Sequence, residues 1–509
     1  MTDHESLERR MREANPVPAL DALHKDELLA VRSLLEQRRG MMTSPQQAPR
    51  QAARWRKPVL AAAAAFLVTI AAGTAAYFAF GRTEKPTTAT TGTSLPATTV
   101  AEVATSLEDV TTTAPAAVVI PEGAVFTGTR IEDTTGALTG EDSEFVSQVI
   151  AGGPGLVAVG AADDGCDWGP WGELGVPKGF ALVEGWSYLC GGAVWLSADG
   201  EAWTRVPDPE GVFSAESGVA LLTGVADNGS RLVAVGITGT QGDLGSPFGP
   251  KPGVWVSDND GASWRRVPHD EAAFGGEGRH LVWSVIPTDF GFVAAGDELW
   301  SSPDGWTWTR VGPMHQVRRM ARTPDGYVAV GYDNPIAAAW TSPDGLSWTP
   351  LAVPAETPIS GDTAYSAMFD VVAGPAGVVA VGSEGLFSDM NWDAGVWLAD
   401  EDGEWSWVQG DVFARGLQQE IQGVTVVGDR LVAVGSQNST FNVFGPAQSW
   451  ISDDGGRTWS RVESEALGQR GDWVAMTTVV TLGSKVVAMG YEGPWHTGSD
   501  LVVWIGTWE

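Results

Sequence analysis

The sequence predicts an all-β fold built from seven repeated units, and three observations carry the prediction. An apolar run closed by glycine recurs seven times, at residues 156–160, 232–236, 292–296, 327–331, 378–382, 431–435 and 486–490. A turn rich in Ser, Asp and Gly, with Trp close behind it, follows most of these runs. The composition, 64 Gly and 24 Trp in 509 residues, suits a chain of many strands and tight turns. Recurrence of this kind marks a repeat architecture, in which each unit buries its apolar faces only against its neighbours.

Within the unit, the glycine-ended run has no polar alternation and is too short for a helix, so it reads as a strand covered on both faces. The turns are Ser197-Ala198-Asp199-Gly200, Ser302-Pro303-Asp304-Gly305 and Ser342-Pro343-Asp344-Gly345, with Trp203, Trp308 and Trp348 behind them. Two longer copies carry Ser257, Asn259, Gly261 and Trp264, and Ser452, Asp454, Gly456 and Trp459; a degenerate one runs from Asp400 through Gly403 to Trp405 and Trp407. Pro presets the first turn position, Asp bonds the local backbone and Gly accepts positive φ, so each is a hairpin turn with a mechanism. The Trp behind it offers a flat ring that can wedge between sheets.

These turns resemble Asp-box (BNR) repeats, whose pattern is Ser-x-Asp-x-Gly-x-Thr-Trp. Ser452, Asp454, Gly456, Thr458 and Trp459 match it in full, Asn259 replaces the Asp in the copy at 257–264, and the other copies are one residue shorter before the Gly. The resemblance implies a β-propeller of the sialidase-like and sortilin-like superfamily, and Asn15-Pro16-Val17-Pro18 with the segment after it resembles the tails of membrane-anchored actinobacterial proteins related to anti-sigma factors. The Asp-box resemblance gives a structural role to Ser257, Gly261, Trp264, Asp304, Trp308, Asp344, Trp348, Ser452, Asp454, Gly456 and Trp459.

Counting strands leads to the same architecture. Each full unit supplies four, as in residues 218–226, 231–236, 253–257 and 263–267, whereas the seventh supplies three and ends at 501–508. A spare strand-like stretch at 124–131 precedes the first unit. It is expected to complete the last blade of a seven-bladed propeller and so remove the exposed edges.

In chain order, residues 1–57 form a cytoplasmic tail. Leu20, Leu23, Leu28, Val31 and Leu35 lie at helical spacing and Gly40 can cap that short amphipathic helix. Residues 58–80 are an uncharged apolar run long enough to span a bilayer as one transmembrane helix. Arg50, Arg54, Arg56 and Lys57 precede the run, so the N-terminus is expected in the cytoplasm and the rest outside, as a single-pass signal anchor in the cell membrane. Residues 81–121 are rich in Thr, Ala and Pro and too poor in large apolar side chains to form a core, which reads as a stalk. Residues 122–509 hold the propeller.

The net charge is −32, yet residues 1–57 hold 11 of the 31 basic and only 8 of the 63 acidic residues, so the exported part is the acidic one. Such a surface repels nucleic acid and anionic lipid. No cofactor is implied; Ca²⁺ is compatible with the charge, but no motif places it. Cys166 and Cys190, the two cysteines, read as one disulfide in the insert of the first unit.

With strands lettered a to d from the axis outward, the a-to-b and c-to-d turns emerge on one face and are short. The b-to-c and d-to-a connections emerge on the other and vary widely, and variable loops on a rigid scaffold are where binding resides. They carry Trp168, Trp171, Trp186, Tyr188, Trp392, Phe441 and Trp495, candidate contacts for an extracytoplasmic glycan, peptide or protein. His269, His280, His315 and His496 fall toward this face without metal-type spacing and read as solvated.

Three functions follow. The first is a non-catalytic, tethered ligand-binding module. The second is a sialidase-like glycoside hydrolase, for which the resemblance implies an arginine cluster, a Tyr-Glu pair and an acid Asp. Tyr332, Tyr365 and Tyr491 are loop tyrosines without a motif, and Arg318, Arg319 and Arg322 share one inner strand, whereas the cluster needs separate blades. The third is an anti-sigma-like sensor, for which residues 18–39 would dock a cytoplasmic partner.

Overall fold

The computed structural model describes residue 120 and residues 126–508, apart from short connections and long inserts such as 163–180 and 240–250. The chain divides into two units, 1–110 and 111–509, and the described residues all belong to the second. Among them no helix is long and apolar enough to cross a membrane. The tail helix, the apolar run 58–80, the stalk apart from residue 120, and both cysteines lie outside the described residues.

Seven four-stranded antiparallel sheets make a seven-bladed β-propeller. The inner strands a are Glu144–Gly152, Val219–Asp227, Val282–Thr288, Val317–Thr323, Ala364–Gly374, Gln418–Val427 and Trp473–Leu482, for blades 1 to 7. Each touches the inner strand of the next blade and the seventh returns to the first, so the ring closes. Closure is completed as the strand count requires: Phe126–Ile131 pairs antiparallel with Asp500–Trp508, and the first described strand is strand d of the last blade. Strand d is short in several blades, only Arg265–Arg266 in blade 2.

The glycine that ends each apolar run has one cause in all seven blades. Strand a carries a one-residue bulge opposite it, at Ser147, Thr223, Trp283, Arg318, Phe369, Gln422 and Thr477. The carbonyl two residues before the bulge is thrust toward strand b. A Cβ on Gly160, Gly236, Gly296, Gly331, Gly382, Gly435 or Gly490 would stand 1.8–2.1 Å from that oxygen, closer than any real contact, so hydrogen is the only substituent that fits.

The bulge also frees an amide, and the neighbouring blade satisfies it. Val149, Val225, Met320 and Val424 donate their N–H to Thr478 Oγ1 (3.1 Å), Gln148 Oε1 (2.9 Å), Ser284 Oγ (3.1 Å) and Asp370 Oδ2 (2.9 Å). Each acceptor lies directly after the bulge of the preceding blade. The same ring is tied by Thr223 Oγ1, which donates to Val282 O, and Thr477 Oγ1, which donates to Val146 O. Buried amides are thereby paired across blades, where a strand ladder cannot reach them.

Tryptophan fixes the outer half. Trp195, Trp255, Trp300, Trp397, Trp450 and Trp504 on strand c are almost fully buried. Each donates its Nε1–H to the d-to-a connection entering its blade, at the carbonyls of Ala137, Val212, Ala273, Pro354, Val412 and Ala466. A large apolar body and one donor thus bind sheet and connection together.

The c-to-d turns are self-contained. Ser197, Ser257, Ser302, Ser342 and Ser452 each accept the amide of the turn glycine at 2.8–3.0 Å. That glycine's carbonyl receives Nε1 of Trp203, Trp264, Trp308, Trp348 or Trp459. The longer turns keep the same bonds by adding a second positive-φ residue, Asp260 before Gly261 and Gly455 before Gly456. In the degenerate copy Gly403 donates instead to Asp400 O, and Trp405 Nε1 has no partner among the described residues.

Turn carboxylates are held by amides. For Asp344 the amides of Ser347 and Leu346 lower the pKa, and for Asp199 those of Ala202 and Glu201 do so. Asp133 lies in the connection between the closing strand and blade 1. Burial alone would raise its pKa, but the Leu138 amide, Thr135 and Thr139 bring it down to about 2. Groups of this kind stabilise the fold fully above their unfolded pKa near 4, and the contribution is lost as pH falls through the folded value. Thermal stability is therefore expected to drop between about pH 4 and pH 2, and Asp133→Asn to lower stability at neutral pH while flattening that drop; melting curves across this range check it.

Gly382→Ala, which places Cβ 1.9 Å from Ala367 O, is expected to cost at least 3 kcal/mol or so. Gly312→Ala, where nothing lies within 4 Å, is expected to be close to neutral in the same denaturant titration.

Candidate functional site

The bulges that shape the ring also line it. Ser147, Trp283, Arg318, Phe369, Gln422 and Thr477 are all half-buried, and they stand at one level of the inner ring. Strand a begins at the variable-loop face, and the bulges fall in its first half or, at Thr223 and Phe369, at its midpoint, so this level lies between the middle of the channel and that end. Tyr491 and Phe145 stack beside it at 5.7 Å between ring centroids, next to buried Leu221 and Ala161. Gln422 Nε2 donates to Glu420 Oε2 at 2.8 Å.

The three arginines of blade 4 go to three different places. Arg318 lies over the Trp283 ring of blade 3, 4.3 Å from its centroid, and donates to Tyr332 Oη at 3.1 Å. Arg319 pairs with Asp370 of blade 5 at 3.5 Å. Arg322 reaches Asp289 at the opposite end of the ring, where both side chains are exposed. They do not converge, so the arginine cluster of a sialidase is not formed by them. Burial and the nearby Glu420 charge push the Tyr491 phenol above its ordinary pKa, which keeps the hydroxyl protonated.

The Arg319–Asp370 pair replaces the inter-blade bond found elsewhere. Arginine cannot accept the Val371 amide, so Asp370 accepts it at 2.9 Å while also taking the Val424 amide. Burial raises the Asp370 pKa and lowers that of Arg319, and each charge pulls the other back. Asp370→Leu leaves a buried guanidinium and two amides unpaired, and is expected to cost about 3–5 kcal/mol in denaturant titrations. Asp370→Asn keeps an acceptor and is expected to cost less.

Of the histidines, His269 is exposed beside Glu271 at 3.1 Å, as expected. His280 differs from its reading as a solvated residue: it is buried at 8% exposure, with Nδ1 3.2 Å from Glu298, which also holds Arg310 at 3.0 Å. The cause is position, because His280 sits two residues before Val282, which pairs with Gly296, and that site is buried in every blade where it is described. His315 and His496 lie outside the described residues. Among the described residues no group of three or more His, Cys, Asp or Glu is placed to hold a metal.

Of the loop aromatics, the backbones of Trp186 and Trp392 are placed. Trp186 ends a small hairpin in the first insert, paired with Ala181, and Trp392 pairs with Gly385 at the variable-loop end of blade 5. Trp168, Trp171, Tyr188, Phe441 and Trp495 lie outside the described residues.

No family model and no curated protein matches the sequence. Solved structures to which the chain is similar include a protein of unknown function from Dyadobacter fermentans, 12% identical, covering 76% of this chain and 100% of that one at a TM-score of 0.42. Another is an α-L-arabinanase from Penicillium chrysogenum, complexed with arabinobiose, 13% identical, covering 75% and 98% at a TM-score of 0.39. A third is an α-L-arabinofuranosidase from Fusarium graminearum, in complex with an iminosugar inhibitor, 10% identical, covering 74% and 97% at a TM-score of 0.36. No residue role is carried from them to this chain.

Proposed function

We propose that this chain is a membrane-tethered, extracytoplasmic propeller that holds a glycan, peptide or protein ligand at its variable-loop face and does not transform it. The observation that supports this reading is the contrast between the two faces. On one face the turn hydroxyls, carboxylates and indoles are consumed by bonds within their own turns. The other face carries the long inserts and opens toward the ring of bulge residues, whose side chains are half-buried and chemically mixed. The tether rests on the apolar run 58–80 and the arginines before it. Catalysis by a sialidase-like route would need arginines converging from separate blades and an activated tyrosine. Arg318, Arg319 and Arg322 diverge and Tyr491 is held protonated.

Glycan and peptide arrays probed with the full-length protein, run beside fluorogenic sialosides and glucosides, test this. Saturable binding without turnover, lost on replacing Trp168, Trp186 and Trp392, is the expected result. Turnover of any of these substrates would overturn it.

A further inference from the structure

Arg318 is a half-buried cation set against two aromatic rings. Arg130, Arg205, Arg231, Arg265, Arg310, Arg319, Arg322 and Arg430 each have a carboxylate partner. Arg318 has none among the described residues, although the protein has twice as many acidic as basic residues. Its guanidinium is nonetheless fixed. The Trp283 ring lies 4.3 Å from it, the Tyr332 ring 5.2 Å, and Tyr332 Oη accepts one of its hydrogens. Nε is buried without a partner, and the neighbouring Arg319 adds a second positive charge.

A half-buried cation so placed has lost part of its hydration, and stacking on aromatic faces returns only part of what water supplied. Its remaining donors are preorganised, because the rings fix the plane of the guanidinium. Arg318 is the second residue of its strand and stands at the bulge, so it lies toward the variable-loop end of the channel. On the ring of bulges it is flanked by the aromatic residues Trp283 and Phe369.

We infer that Arg318, held by Trp283 and Tyr332, is the receptor for a carboxylate on the ligand, with the apolar part of that ligand against the flanking aromatic residues. This inference rests on the reading of the variable-loop face as the binding face and adds the chemical class of what binds there. A charge-assisted bond to a planar carboxylate supplies the counter-charge that no described residue gives Arg318. The carrier of the carboxylate, an aromatic acid or a uronic sugar, is left for the experiment to distinguish.

Calorimetric titration of the full-length protein with two acid and neutral pairs, benzoate with benzamide and galacturonate with galactose, tests it. At least one acid is expected to bind about 10-fold tighter than its neutral partner, with the preference falling as salt is raised. Arg318→Gln is expected to abolish that preference, and Arg318→Lys to keep part of it. Tyr332→Phe, which spares the charge and the ring, is expected to weaken it and serves if the arginine variants do not fold. Equal binding of acid and neutral partner, a preference that survives Arg318→Gln, or no binding of either acid would overturn the inference. Neutral glycan binding that depends on Trp392 but not on Arg318 would overturn it while leaving the binding face in place.

Discussion

The close contact between the bulged inner strand and the glycine facing it is the constraint on which the propeller depends. An extra residue in strand a drives a carbonyl toward strand b, and hydrogen is the only side chain that leaves room for it. The same distortion releases an amide, which the preceding blade captures through Thr478, Gln148, Ser284 or Asp370. Bending, inter-blade bonding and the aiming of side chains at the channel therefore share one cause. Where the chain sets Arg319 at the linking position, the bond is rebuilt as an ion pair with Asp370.

The outer half obeys a different rule. Strand c buries a tryptophan in each blade, and in six of them its single donor reaches the connection that enters from the blade before. Phe213, Phe274 and Phe413 of those connections pack against Trp264, Trp308 and Trp459. Connections that cross the variable-loop face are thus pinned at their outer ends, and their inserts can vary without loosening the blades.

Much of this was legible in the sequence. The seven runs, the short turns and the spare first strand gave blade number and closure, because each depends on local pattern. The glycine was legible only as a strand end. Its reason, a bulge in a different strand, changes no periodicity and appears only when two strands are paired. Arg318 was visible as one of three arginines on an inner strand, but that no carboxylate among the described residues pairs with it follows from which side chains the other blades bring near. His280 read as a solvated loop residue because the loop's end tucks under the blade, a tertiary event that local polarity does not encode. The turn serines and glycines, by contrast, were legible in the copies of both lengths, since the bonds that matter lie within a few residues of each other.

One face of the molecule closes its polar groups within its own turns, and the proposed ligand site lies at the channel end that holds Arg318. The most direct test is a crystal structure of the protein with a ligand drawn from the binding screens. Density at the variable-loop end of the channel, with an acidic group on the Arg318 guanidinium, is the predicted result. A ligand seated instead among the c-to-d turns, beside Asp304, Asp344 and Asp454, would contradict it.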